Sequence, residues 1–209
     1  MNHRKKIEIT LDRLTGHPRP KVWLEQYTIP SRTAAEMLAI ASNVRGDITN
    51  KSVIDLGCGT GRLAIGARLL GANEVTAVDI DPISVQIARE NAKSLQIRNS
   101  ISWVNSDIEA IRGSFDTVLM NPPFGTKSEH ADRKFLLKAL SIADVTYSLH
   151  KRSTRLYLLK LIKKNFGSVE ALYEIELSIP RIYNFHRRRN YNVEVDLYIV
   201  RSNLIDRPN

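Results

Sequence analysis

The sequence predicts an α/β fold: a doubly wound, mostly parallel sheet closed by a C-terminal antiparallel hairpin. Three observations carry that prediction. From Lys51 onward, short apolar runs alternate with amphipathic stretches, the rhythm of parallel strands joined by crossover helices. Acids stand at or just after the ends of three successive runs, at Asp55, Asp79 and Asp107, where open α/β sheets bind ligands. The chain closes on two long alternating runs, Val169 to Ile179 and Tyr191 to Arg201, which read as an antiparallel pair.

The elements follow in order. Ile7, Leu11 and Leu14 share one helical face, and Gly16-His17-Pro18-Arg19-Pro20 ends that helix. Trp23 to Pro30 is irregular. Ser31 reads as the N-cap of a helix to about Val44, with Ala35, Leu38 and Ala41 inward. Val53 to Leu56 is a buried strand, and Arg62 to Leu70 a helix closed by Gly71. Val75 to Asp79 is the second strand. Pro82 opens the next helix, whose buried face is Val85, Ala88, Ala92 and Leu95. Ile101 to Val104 and Phe115 to Met120 are the third and fourth strands. Ala131 to Asp144 is a helix, Val145 to Leu149 the fifth strand, and Ser153 to Asn165 a basic helix. The 209 residues suit one domain, with residues 1–46 as a helical extension and 47–209 as the core.

Composition narrows the class. A single cysteine leaves neither a disulfide framework nor a structural zinc cluster within the chain, which fits a reducing, cytoplasmic setting. No apolar run approaches a membrane span, and the basic start Met1 to Lys6 leads into no uninterrupted apolar segment of a signal peptide. Lys and Arg number 31 against 22 acids, a net charge of +9 that points to a polyanionic partner. The charge clusters at Lys151, Arg152, Arg155, Lys160, Lys163 and Lys164, and again at Arg187-Arg188-Arg189.

Asp55-Leu56-Gly57-Cys58-Gly59-Thr60-Gly61 lies between a strand and a helix. Three glycines at alternate positions allow a tight turn and close approach of a ligand. A dinucleotide site spaces its glycines G-x-G-x-x-G and would need a glycine at Arg62. Acid-x-G-x-G-x-G is instead the pattern of S-adenosylmethionine (SAM) binding, where Asp55 faces the polar end of the ligand. Asp79 would accept the ribose hydroxyls. Asp107 would meet the adenine amino group, its alternative being a solvated acid at a helix start. Ile80 and Ile108 would sandwich the adenine ring. Cys58 reads as a packing residue.

The fourth strand ends in Asn121-Pro122-Pro123-Phe124. Proline neither donates to a ladder nor continues a helix, so this is a stiff loop. After a SAM loop it resembles the (D/N/S)-P-P-(Y/F/W) motif of class I SAM-dependent methyltransferases, Rossmann-like enzymes acting on planar nitrogen. The chemistry explains the residues. An aryl amine is a poor nucleophile because its lone pair is delocalised. The Asn121 side-chain carbonyl and the Pro122 backbone carbonyl would hold its two N–H groups, with Pro122 and Pro123 fixing the loop. Phe124 would stack on the unstacked base.

Release-factor glutamine methyltransferases use the same loop, typically ending in Tyr. Leu24-Glu25-Gln26-Tyr27, the stretch from Asn121 to Lys127, Tyr147 to Lys151, Ser153-Thr154-Arg155 and Phe185 to Arg188 together resemble the methyltransferase-like protein five family. The resemblance runs from about Trp23 to Arg201. It implies methylation of N6 of an adenosine in small-subunit ribosomal RNA. It also implies that Gln26, Tyr27 and Ile29 cover the cofactor and that Thr60 and Arg62 line its pocket. Ile29 stands where the family commonly has Thr, and Arg62 where a small apolar residue is frequent. Eukaryotic members pair with a small zinc-ribbon activator protein that adds a strand to the sheet edge.

Lys151, Arg155, Arg187, Arg188 and Arg189 are the expected RNA contacts. His150 reads equally as a substrate contact or a hydrogen-bonded loop histidine. Tyr183 and Phe185 interleave with basic residues, and core packing serves Phe185 as well. No histidine has metal-ligand spacing. Two other functions remain open: the same chemistry on DNA adenine or a protein glutamine amide, and a SAM-binding module that recognises RNA without turnover. The intact loop argues against the module, and the basic clusters against a protein substrate.

Overall fold

Residues 3–125, 131–165, 167–180 and 190–203 are described by a computed structural model. Helix α1 (His3–Asp12) buries Ile7 and Leu11 against α2 (Ser31–Ala39), which continues as a π-helical turn, Ile40–Val44. The expected helix to Val44 thus keeps its path but changes its hydrogen bonding at Ile40. Ser31 is not its N-cap. Pro30 holds that position, where its missing N–H is no loss, and Ser31 Oγ donates to Asp12 Oδ1 at 2.8 Å, tying α2 to α1.

The chain then alternates through β1 (Ser52–Leu56), α3 (Arg62–Leu69), β2 (Glu74–Asp79), α4 (Pro82–Ser94), β3 (Ser102–Asn105), β4 (Phe115–Met120), α5 (Ala131–Ile142), β5 (Ala143–Lys151) and α6 (Arg155–Lys164). It closes on β6 (Gly167–Pro180) and β7 (Asn190–Ser202). Among the described residues these strands form one sheet in the order β3-β2-β1-β4-β5-β7-β6. The five strands from β3 to β5 are parallel, and β7 runs antiparallel to both its neighbours. This is the predicted doubly wound sheet, with the hairpin inserted so that β7 joins β5. Helix α5 stops earlier than expected. Ala143 already pairs with Phe115 of β4, so sheet pairing takes Ala143 and Asp144 from the helix.

Strands covered on both faces are mostly apolar on both, and these are, with Thr146, Ser148 and His150 of β5 and Asp196 of β7 as buried polar exceptions. Val53, Leu119, Tyr147 and Leu197 pack on one face with α1, α2 and α3. Ile54, Leu56, Val118, Met120 and Tyr198 pack on the other with α5 and α6. The C-terminal ends of the parallel strands therefore meet along one edge, where their loops gather. The β6–β7 ladder runs five pairs beyond Lys151↔Val195, the last β5–β7 pair. At about 3.4 Å per residue the hairpin overhangs that edge by about 17 Å. Among the described residues no helix is long and apolar enough to cross a membrane.

Candidate active site

The loop after β1 is shaped by its glycines. Gly57, Gly59 and Gly61 all have positive φ, and a Cβ on Gly61 would lie 2.9 Å from the Trp103 ring. The amides of Gly57 and Cys58 both donate to the Val78 carbonyl at 2.9 Å. Asp79 Oδ2 accepts from the Gly59 amide and Oδ1 from the Asp81 amide, both at 2.8 Å, so the end of β2 fixes the turn. Asp55, 1% exposed, accepts from the Ala64 amide through Oδ2, while its buried Oδ1 has no partner among the described residues. Burial pushes the Asp55 carboxyl up to about 7 and raises Asp79 as well. Burial also pushes the Cys58 thiol up, in keeping with a packing residue.

These groups open on a cavity of about 430 Å³. Gln26, Tyr27, Ile29, Asp55, Gly57, Gly59, Thr60, Arg62, Asp79, Ile80, Asp107, Ile108, Asn121 and Pro123 all line it. Gly61, Pro122 and Phe124 flank it without lining it. The expected adenine neighbours differ in exposure, Ile80 at 53% and Ile108 at 5%. Asp107 caps the turn at Glu109 N and pairs with Lys134 Nζ at 3.1 Å, so its carboxylate is already engaged. Arg62 donates to the Ile29 carbonyl, and Thr60 keeps a buried hydroxyl without a partner among the described residues.

The segment from His17 to Ile29 straps across this cavity. Its anchor is Asp81, a residue that the sequence did not single out. Its fully buried carboxylate accepts from Lys21 Nζ at 2.8 Å and Gln26 Nε2 at 2.8 Å, and bonds His17 Nε2 at 2.9 Å. Burial would raise this carboxyl, but the bonds from Lys21, Gln26 and His17 outweigh it and hold it well below the usual carboxylate range. Gln26 therefore serves the strap. At its other end the strap grips the loop after β4. Glu25 Oε2 accepts from the Phe124 amide at 2.9 Å, and the Tyr27 hydroxyl donates to Asn121 Oδ1 at 2.8 Å. The Tyr27 and Phe124 rings lie 5.6 Å apart, and Lys151 Nζ sits 5.7 Å from the Phe124 centroid.

The expected RNA contacts separate. Lys151 joins the site through Phe124. His150 does not: it is 1% exposed on the α6 side of β5, bonded to Ser148 Oγ at 2.7 Å and set edge-on to Tyr198. Burial pushes its imidazole down to about 3, so it stays neutral and out of a surface ligand's reach. Arg155 is spent internally, gripping buried Asp196 through two nitrogens and Glu174 through one. Arg152 pairs with Glu194 and Glu174. Lys160, Lys163 and Lys164 stay exposed on α6. Arg187, Arg188 and Arg189, with Tyr183 and Phe185, lie outside the described residues.

Comparison with known proteins fits this geometry. The family model described as ribosomal protein L11 methyltransferase (PrmA) matches residues 32–122. The rRNA N(6)-adenosine-methyltransferase METTL5 of Danio rerio is 39% identical over 198 residues, covering 92% of this chain and 95% of that protein. Its Drosophila melanogaster counterpart is 38% identical over 201 residues, covering 93% and 94%. A Pyrococcus horikoshii protein proposed to be an RNA methyltransferase superposes with a TM-score of 0.90 at 39% identity, covering 97% of this chain and 98% of the other. Sheet order, glycine turn and strand-end acids define a class I SAM-dependent methyltransferase. Within that class, the chain belongs to the METTL5 family of rRNA N6-adenosine methyltransferases.

Proposed function

We propose that this protein transfers the methyl group of SAM to N6 of an adenosine in small-subunit ribosomal RNA. The observation that carries the reading is the Asn121–Phe124 loop, set at the end of β4 beside the cavity and gripped by the strap. The cavity suits SAM. Its volume falls in the range of small-molecule sites, and on its wall Asp55 keeps a buried oxygen without a partner among the described residues. When bound, SAM supplies a methyl group made electrophilic by its sulfonium.

The protein supplies position. Asp55 takes the amino-acid end, and the second lone pairs of the Asp79 oxygens take the ribose hydroxyls. Ile80 and Ile108 bracket the adenine, beside Asp107. Asn121 Oδ1 and the Pro122 carbonyl accept the target N–H groups, favouring a pyramidal nitrogen with a free lone pair. Phe124 stacks on the target base, and Lys151 carries positive charge beyond it. Lys160, Lys163 and Lys164, with the Arg187–Arg189 run, hold the phosphates. Alignment, rather than a strong base, drives the transfer.

Residues 1–46 complete the core of residues 47–209 as one catalytic unit, since α1 and α2 share its larger hydrophobic cluster. A small zinc-ribbon activator that adds a strand would dock at a sheet edge, β3 or β6. The single cysteine and the RNA substrate favour a cytoplasmic enzyme. The test is a panel of tritiated SAM reactions with ribosomal RNA, duplex DNA and ribosomal protein. Label in RNA, lost on ribonuclease treatment, is expected. Label in protein after RNA digestion, or in DNA alone, would overturn the RNA assignment.

A further inference from the structure

We propose that Tyr27 is a positioning residue for methyl transfer: its hydroxyl sets which way the Asn121 side-chain amide points. The inference rests on the adenine-amine reading of the loop. An asparagine amide presents a carbonyl and an NH₂ of nearly the same shape. Only one orientation turns Oδ1 to an incoming amine, and the flipped one sets donors against donors. In the structure the Tyr27 hydroxyl donates to Asn121 Oδ1 at 2.8 Å. Oδ1 has a second lone pair, which remains for the substrate N–H. Flipping the amide would make the hydroxyl an acceptor and strand its proton, because Oδ1 is its partner among the described residues. Burial raises the Tyr27 phenol, so the donor proton stays in place at working pH.

The hydroxyl is itself held. The Tyr27 ring rests 5.6 Å from Phe124, and the adjoining Glu25 carboxylate accepts from the Phe124 amide at 2.9 Å. On its other flank Gln26 is fixed to Asp81 at 2.8 Å. The strap thus aligns the acceptor of the loop as well as covering the cofactor cavity.

The test compares Tyr27→Phe in the wild-type and Asn121→Asp backgrounds, measuring kcat, KM for RNA, SAM Kd by calorimetry and the thermal midpoint. Tyr27→Phe keeps the ring and loses one hydrogen bond, so kcat is expected to fall about 3- to 10-fold with SAM Kd and thermal midpoint unchanged. A carboxylate at residue 121 accepts through either oxygen and needs no orientation. In that background Tyr27→Phe is expected to change kcat less than about twofold. An unchanged kcat in the single variant, or a SAM affinity that falls in step with kcat, would overturn the proposal, as would an equal loss in both backgrounds. Should Asn121→Asp be inert, the single variant decides: kcat loss at constant SAM Kd and midpoint supports positioning, and any other pattern refutes it. The adenine reading stands or falls separately, on whether the wild-type product is N6-methyladenosine.

Discussion

Asp55→Asn should make the ligand-free protein more stable while disabling its cofactor site. Asp55 is buried with one oxygen unpartnered among the described residues, and burial, reinforced by the charge of Asp79, pushes its carboxyl to about 7 against an ordinary 3.8. The raised value fixes the sign. The unfolded chain ionises first, so the cost to folding grows as pH rises from about 4 and is complete above about 7. The gap, at about 1.36 kcal/mol for each pH unit, is about 4 kcal/mol at pH 8. Asparagine still accepts from the Ala64 amide and carries no charge. Asp55→Asn is therefore expected to gain up to about 4 kcal/mol in urea unfolding at pH 8, and less than about half of that at pH 5. On the proposed site assignment the same variant also loses a charge-assisted hydrogen bond to the amino-acid end of SAM. Calorimetry should show affinity weakened about 10- to 100-fold. A variant less stable than wild type at pH 8, or one that binds SAM as tightly, would refute the reasoning.

Three further outcomes are expected. Phe124→Ala should raise KM for RNA about 5-fold or more while leaving SAM Kd unchanged, since base–aromatic stacking is worth about 1–3 kcal/mol; an unchanged KM in steady-state assays removes the stacking role. Asp81→Asn should lower the thermal midpoint and weaken SAM binding together, because it removes the charge and one of the two acceptor oxygens that Lys21, Gln26 and His17 share. The stabilisation from the Asp81 carboxylate is present above about pH 4 and lost on acidification, so the gap between variant and wild type should close in acid melts. Arg155→Ala should cost stability, because it strips a partner from buried Asp196, while changing the salt dependence of RNA binding little; a filter-binding salt slope reduced as much as in Lys163→Ala would return Arg155 to the RNA surface.

What could be read from the chain was what is local in it. Strand alternation placed β1 to β7 within a few residues. The glycine turn and the acids at strand ends follow from spacing, and the Asn121–Phe124 loop from its stiffness after a strand. The missed features join residues far apart in sequence. Asp81 meets Gln26 across 55 residues and His17 across 64, and Tyr27 meets Asn121 across 94. Nothing beside Asp81 announces those partners, and Asp before Pro reads as a helix cap. The two readings of His150 stayed level for a related reason. Alternation put it on the same face as Thr146 and Ser148, but only the packing of that face beneath the helices shows these polar residues to be buried. Arg155 looked free within a basic run, while its acid stood 41 residues on, in β7.

The measurement that bears most directly on the central claim is nucleoside analysis of small-subunit RNA from cells lacking this protein. The subunits would be incubated with SAM and either wild-type protein or Asn121→Ala. Wild type should form N6-methyladenosine, and Asn121→Ala should form about 10²- to 10³-fold less per unit time with its SAM affinity intact. Full activity in Asn121→Ala, or a methylated product other than N6-methyladenosine, would contradict the account.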